Sequence, residues 1–212
     1  SSFADDILVT NNNATAAPTH VGQNDDIDGI KPNGSKLVVS GSGSPAGTNC
    51  IEMSLESGSQ IRNMVLENCP GSGIWAQAAI GAIFEGLEIR NNGGDGISMG
   101  FSATLSKNSR NVRIGGDQPQ HRNLIYSNGG SGVLIAASAT QDRGVQNINI
   151  LNNYLGTSNG TSDNGNSING VYLSNTIGVY VGDPTGATRN VISGNNNDGV
   201  NITGSGAVSN NV

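Results

Sequence analysis

The sequence predicts an all-β chain folded as a parallel β-solenoid, and three observations carry that prediction. A short motif of glycine, apolar, variable, apolar recurs at Gly73-Ile74-Trp75-Ala76, Gly96-Ile97-Ser98-Met99, Gly132-Val133-Leu134-Ile135, Gly170-Val171-Tyr172-Leu173 and Gly199-Val200-Asn201-Ile202. Apolar residues and asparagines recur at fixed distances upstream of it. Of 212 residues, 32 are glycine and 30 are asparagine, residues that suit tight turns and serve helix interiors poorly.

The N-terminal stretch, residues 1–47, reads as a cap or opening coil, with strand candidates at Asp6–Thr10 and Ser35–Ser40 and a polar, Asn/Ala/Pro-rich stretch between. Residues 48–212 carry the repeats. Cys50-Ile51-Glu52-Met53 is the first copy, with Cys in the glycine place, and successive copies follow after 23, 23, 36, 38 and 29 residues. A base coil of 23 residues with insertions of variable length is a solenoid pattern, because insertions loop out from one coil without disturbing the next. Within each copy the alternation has period 2 and points Ile51/Met53, Ile74/Ala76, Ile97/Met99, Val133/Ile135, Val171/Leu173 and Val200/Ile202 inward.

A second strand is expected upstream of each glycine. Leu66, Ile89, Ile125 and Ile192 stand seven residues before it, and Cys69, Asn92, Asn128 and Asn195 four before it. Asparagine tolerates left-handed backbone angles, and stacked asparagines would form a ladder with rungs about 4.8 Å apart. A larger unit fixes the register. Ile114-Gly115-Gly116-Asp117 followed by Arg122-Asn123-Leu124-Ile125 recurs 67 residues later as Val181-Gly182-Asp183-Pro184 followed by Arg189-Asn190-Val191-Ile192. Each coil buries only a few side chains, at roughly 1.5–3 kcal/mol each, so one coil cannot offset its ordering entropy and the stack must.

The Gly-Asp-Gly-Ile run at residues 94–97 and the Arg-Asn-Val-Ile-Ser-Gly-Asn run at residues 189–195 resemble repeats of the right-handed parallel β-helices of the pectate-lyase-like superfamily. They are most similar to the Asn/Gly-rich repeats of bacterial secreted and surface proteins. The resemblance covers about residues 48–212. It implies a right-handed parallel β-helix and leaves function open, since the superfamily holds lyases, hydrolases, epimerases, phage tailspikes and non-catalytic adhesins.

The enzyme signatures implied by that resemblance are absent. There is no run of calcium-binding carboxylates beside an Arg or Lys base, no Gly-His-Gly, and no Asp-Pro-His-Glu, since Asp183-Pro184 continues as Thr185-Gly186. The best residual catalytic cluster is Asp117, His121 and Arg122, with Lys107, Arg110 and Arg113 nearby. The second copy has Thr188 in the place of His121, so a structural Asp–Arg pair in an insertion loop is the competing reading. The run Asp25-Asp26-Ile27-Asp28-Gly29 offers carboxylates for Ca²⁺ but lacks an EF-hand spacing, and reads as a solvated turn. No other cofactor is expected.

The outward column is more informative. It holds Glu52, Trp75, Ser98, Leu134, Tyr172 and Asn201, including the only tryptophan. Exposed aromatics on a rigid sheet stack on sugar rings or anchor partners, so Trp75, Tyr172 and Glu52 are the candidate binding residues. The alternative is that the Tyr154–Asn169 loop folds over this face. Cys50 and Cys69 lie in neighbouring columns of adjacent coils, where a disulfide and two buried free thiols are both compatible with the spacing.

A net charge of −6 with ten Lys and Arg argues against nucleic-acid and anionic-membrane partners, and no apolar run is long enough to span a membrane. Any signal peptide is expected to have been removed or to lie outside this sequence. The chain stops at Val212 after a half repeat, which suggests a segment of a longer repeat protein or an end covered by another copy. The expectation is an extracellular or cell-surface, non-catalytic structural or adhesive rod that binds polysaccharide or cell-surface glycan and self-associates through its ends into a filament. The alternative is a polysaccharide lyase, epimerase or hydrolase acting at Asp117, His121 and Arg122.

Overall fold

The computed structural model describes residues 19–21, 25–54, 58–102, 107–137, 146–183, 188–207 and 209–212. Successive coils stack into three parallel sheets. The first runs Thr19–Val21, Ile51–Ser54, Ile74–Gln77, Ile97–Ser102, Val133–Ala136, Val171–Ser174 and Val200–Thr203. The second runs Asp26–Asp28, Gln60–Arg62, Ile83–Glu85, Arg113–Gly115, Gln146–Leu151 and Ile177–Val181. The third runs Leu37–Ser40, Met64–Glu67, Glu88–Arg90, Leu124–Tyr126, Tyr154–Leu155 and Val191–Ile192. A short antiparallel strand, Lys107–Asn108, pairs with Phe101 and Ser102 at the end of one first-sheet strand. The chain is a parallel β-helix solenoid. Leu37–Ser40 lies within the strand expected at Ser35–Ser40, whereas Asp6–Thr10 falls outside the described residues.

The second sheet is the element that the repeat pattern conceals. Its early strands are three residues long, and in places one or two residues carry the chain into the third sheet: Asn63, at φ 57°, alone joins Gln60–Arg62 to Met64–Glu67, and Asn152, at φ 57°, opens the two-residue step from Gln146–Leu151 to Tyr154–Leu155. Gly86, at φ 63°, serves the same corner. Strands this short and close leave no period to count.

The inward columns follow the predicted register. Ile51, Ile74, Ile97, Val133, Val171 and Val200 pair in one line. The first five of these residues are buried, as are their partners Met53, Ala76, Met99, Ile135 and Leu173. Val200 is half-buried and Ile202 is 42% exposed, against expectation, because no described strand stacks beyond Val200–Thr203. Ile61, Phe84, Ile114, Ile148, Ile150 and Val179 from the second sheet, with Leu66, Ile89, Ile125 and Leu155 from the third, complete the core.

Three polar columns run along the stack. In the first, the Asn92 amide donates to Asn128 Oδ1 at 3.0 Å, Asn128 to Asn166 at 3.0 Å, and Asn166 to Asn195 at 2.9 Å. Each of these amides also donates to a carbonyl of an earlier strand, such as Asn128 to Ile89 at 3.1 Å. Asn166 keeps the four-residue distance to Gly170, although the excursion after Leu155 puts Asp163 rather than an apolar residue seven before that glycine. The left-handed corner residue is the one before the rung, Asn68, Asn91 or Ser127, at φ 57°, 54° and 55°. A second column links Asn123 to Asn153 at 2.9 Å and Asn153 to Asn190 at 3.1 Å.

The third column occupies the position before each motif glycine. Ser72 N–H donates to Asn49 Oδ1 (2.7 Å), Asp95 N–H to Ser72 Oγ (3.2 Å), Ser131 N–H to Asp95 Oδ1 (2.8 Å), and Asp198 N–H to Asn169 Oδ1 (3.0 Å). Each small polar side chain thereby satisfies a backbone donor in the next coil. Asp95 and the exposed Asp198 are its charged members, and at Asp95 burial raises the pKa above the ordinary 3.8. A carboxyl whose folded pKa is raised costs stability above that pKa, and the cost fades as pH falls toward the unfolded value. Asp95→Asn keeps the acceptor without the charge. Its melting temperature should exceed the parent's at neutral pH and converge on it in acid; a variant less stable at both pH values would contradict the assignment.

The motif glycines Gly73, Gly96, Gly132 and Gly170 are required by crowding. A Cβ on Gly96 would lie 2.3 Å from Ile125 Cγ2 and 2.5 Å from Gly132 O, with Asn128 Nδ2 at 3.3 Å. A Cβ on Gly73 would meet Asn92 Nδ2 at 3.2 Å, so the ladder amide of the next coil helps fill the space. That explains the one exception. Cys50 takes a glycine position where the facing rung is Cys69 rather than asparagine, and the two form a disulfide with Cα atoms 5.5 Å apart. Both cysteines are buried.

Candidate functional site

The outer face of the first sheet is built by the same pairing that orders the core. Register places Glu52, Trp75, Ser98, Leu134, Tyr172 and Asn201 side by side in one outward line. Two residues further along each strand, Gln77, Gly100, Ala136 and Ser174 form a second line. The small Gly100 and Ala136 leave a shallow groove of about 330 Å³ beside Trp75 and Leu134. Met99, Leu134 and Ala137 add apolar surface, Gln77 and Ser98 supply neutral polar groups, and Trp75 is half-buried.

The three candidate binding residues share this line, but not equally. Trp75 lines the groove. Tyr172 stands three strands from Trp75 and beside the groove-lining Leu134, its hydroxyl accepting a hydrogen bond from Thr203 Oγ1 at 3.1 Å. Glu52 neighbours Trp75 across the strands and accepts from Asn49 Nδ2 at 2.8 Å.

The Tyr154–Asn169 loop does not cover this face. Its turn folds back on the third sheet, where a Cβ on Gly160 would touch the Tyr154 ring at 3.2 Å. Ser127 N–H donates to Asn164 O at 2.9 Å, tying the loop to the corner after Leu124–Tyr126. The expectation of a covering loop is thus corrected: the excursion leaves the third sheet and is held there by its own hydroxyl network.

The residual catalytic cluster is only partly assembled. His121 Nδ1 lies 3.3 Å from Asp117 Oδ1 and 4.0 Å from Glu85 Oε2. Asp117 is exposed, and hydrogen bonding, first from the Gln118 side chain, holds its pKa below the ordinary value. Arg122 points elsewhere. It bonds Asn152 Oδ1 at 2.6 Å and lies 4.2 Å over the Tyr154 ring. The expected Asp–Arg pair is therefore an Asp117–His121 contact, and in the second copy Thr188 Oγ1 donates to Asp183 at 3.2 Å instead. Arg113 pairs with Glu85 at 2.8 Å, Arg110 is exposed, and Lys107 lies on the short antiparallel strand. Glu85, buried beside His121, went unrecognised in the sequence because Gly115 replaces it in the next coil.

The acidic run near the N-terminus is a strand, not a turn. Asp26 and Asp28 of Asp26–Asp28 face Arg62 in the next coil, and Asn63 Nδ2 donates to Asp28 at 3.0 Å. Its alternating carboxylates are used in stacking against a guanidinium. Among the described residues no group of three or more His, Cys, Asp or Glu is arranged to hold a metal ion. Nor, among them, is any helix long and apolar enough to cross a membrane.

A larger hollow, of about 560 Å³, lies at the last coil and is lined by Tyr180, Asp183, Arg189, Asn190 and Ile192. It lies beyond the last described strand of the third sheet, and its lining groups are those of a coil surface. Compared with models of protein families, with curated proteins and with solved structures, the chain gives no match.

Proposed function

We propose that the chain is a non-catalytic, extracellular or cell-surface β-helix rod, structural or adhesive in role, that presents the outer face of its first sheet to a polysaccharide or cell-surface glycan. The Trp75 groove carries this reading. It places the chain's only tryptophan on a rigid sheet face, beside neutral polar groups, uncovered by the Tyr154–Asn169 loop. Aromatic faces bury large area at low entropic cost and are the usual anchors of such contacts. The disulfide fits an oxidising compartment. The repeat grammar supports kinship with the right-handed helices of the pectate-lyase-like superfamily. End-to-end stacking of copies, strand on parallel strand, would extend the same three sheets into a filament, which negative-stain microscopy of the native material would reveal.

The polysaccharide lyase, epimerase or hydrolase reading draws less support, because Arg122 turns away from His121 and Asp117. A glycan array separates the two. The parent should bind a subset of glycans, and Trp75→Ala should weaken binding about tenfold or more while keeping the parent's melting temperature. Retained binding in Trp75→Ala, or turnover of a uronate polymer by the parent, would overturn the proposal.

A further inference from the structure

The chain holds six Asn–Gly pairs, at Asn33, Asn92, Asn128, Asn159, Asn164 and Asn169. Such pairs are chemically fragile. The glycine nitrogen can attack the asparagine Cγ, expelling ammonia and closing a five-membered succinimide. Water then opens that ring at either carbonyl, to aspartate or to isoaspartate. A glycine nitrogen whose hydrogen is held in a hydrogen bond on rigid backbone is poorly placed to attack.

Five of the six nitrogens are held in this way. Gly34 N–H donates to Lys31 O (2.8 Å), Gly93 to Cys69 O (2.8 Å), Gly129 to Asn92 O (2.8 Å), and Gly170 to Asp198 O (3.0 Å). Gly160 N–H donates to Thr157 Oγ1 at 3.0 Å. The protected set includes Asn92 and Asn128, whose amides form the buried ladder.

Asn164–Gly165 is the exception. Gly165 N–H has no acceptor among the described residues. The electrophile is also prepared, as it is at Asn33 and Asn159 where the glycine nitrogen is held: Ser158 Oγ donates to Asn164 Oδ1 at 3.0 Å. A hydroxyl on that oxygen draws electron density from Cγ and stabilises the negative charge that develops as nitrogen adds. Ser158 is fixed by a 2.9 Å contact with Ser162 Oγ, which in turn lies 3.3 Å from Thr157 Oγ1.

We infer that Asn164 is a built-in self-modification site, where the folded protein closes a succinimide at Gly165 ahead of its five other Asn–Gly pairs. In the reaction the Gly165 N–Cγ bond forms, the Cγ–Nδ2 bond breaks, and ammonia leaves with the displaced proton. The isoaspartate product lengthens the backbone by one carbon. That change falls where the backbone is closely seated, since Asn164 N–H donates to Gly156 O at 3.2 Å, Asn164 O accepts from Ser127 N–H at 2.9 Å, and even a Cβ on Gly165 would lie 1.7 Å from Gly194 O. The lesion also falls two residues from Asn166, a ladder rung. The site would loosen the coil carrying Asn166 and act as a slow clock on the age of the rod.

The test is peptide mapping by mass spectrometry of folded protein held in mildly alkaline buffer at physiological temperature. Asn164 should convert first, and in denaturant its lead over the other five should vanish. Ser158→Ala should slow conversion at Asn164 by about fivefold, the rate equivalent of one hydrogen bond, and leave the other sites unchanged. Earlier conversion at Asn33 or Asn159, or a lead at Asn164 that survives in denaturant, would overturn the inference. An unchanged rate in a folded Ser158→Ala variant would also contradict the activated-carbonyl geometry.

Discussion

Asn128→Ala should be among the most destabilising single substitutions in this chain, costing on the order of 4 kcal/mol in chemical denaturation. Asn128 is fully buried at the centre of the amide ladder. Its Nδ2 donates to Asn166 Oδ1 and Ile89 O, and its Oδ1 accepts from Asn92 Nδ2 and from Asn92 N–H. Alanine removes all four bonds and leaves the partners buried. Backbone and amide groups stranded away from water cost more than the bonds themselves are worth. Asn128→Asp is the informative companion, since it keeps the acceptor, loses both donations and buries a charge. The exposed corner residue Asn91, outside the ladder, should tolerate alanine far better, although φ 54° favours asparagine or glycine there. Equal losses at Asn91 and Asn128 would show that corner geometry, not the ladder, holds the coils in register.

The second large effect is expected at the disulfide. The Cys50–Cys69 bridge closes a loop with a sequence separation of 19, and removing both cysteines should cost about 3 kcal/mol through the freed unfolded chain. The choice of replacement matters. Alanine at both positions leaves the sulfurs' space empty. Cys50→Gly with Cys69→Asn rewrites the site in the pattern of later coils, where Gly73 faces Asn92 and Gly96 faces Asn128. An asparagine at position 69 would extend the ladder toward Asn92, which already accepts from the Cys69 N–H at 3.0 Å. The glycine–asparagine pair should therefore recover part of the loss relative to the double alanine. Equal stability of the two double variants would refute the exchange of disulfide for ladder rung.

These effects also show how far the sequence can be read. The first sheet was legible because the strands at Ile74, Ile97, Val133 and Val171 each follow a glycine that crowding demands, so the motif is a direct record of packing. The third sheet was legible through Leu66, Ile89 and Ile125. The second sheet was not, because its first four strands are three residues long and some turn within one or two residues into the next sheet, as at Asn63. The column before each glycine was written openly, as Asn49, Ser72, Asp95, Ser131, Asn169 and Asp198, but short polar residues in a Gly/Asn-rich chain read as turn filler until their backbone partners are known.

The candidate site divides along the same line. The line of Trp75, Leu134 and Tyr172 follows from period 2 alone, which fixes which side chains share a face. Where the Tyr154–Asn169 loop lies depends on hydroxyl contacts among Thr157, Ser158 and Ser162 that have no sequence period. The direction taken by Arg122 depends on Asn152 and Tyr154 of the following coil, so neighbours in the chain gave no guide to it. Charge is sparse in this protein, and in the described coils much of it is spent between neighbours, as in Arg62 with Asp26, Arg90 with Glu67, and Arg113 with Glu85. Surface pairs of this kind contribute little individually, yet they occupy groups that a catalytic site would need.

Trp75 is the only tryptophan, so its fluorescence reports on the proposed binding face without a label. Titration of the folded protein with a panel of neutral and acidic polysaccharides is the most direct test of the central claim. The account predicts a saturable change in Trp75 emission with at least one polysaccharide, with no release of shortened or unsaturated product. An emission spectrum unmoved by every member of the panel, or saturation accompanied by polymer cleavage, would contradict a non-catalytic glycan-binding rod.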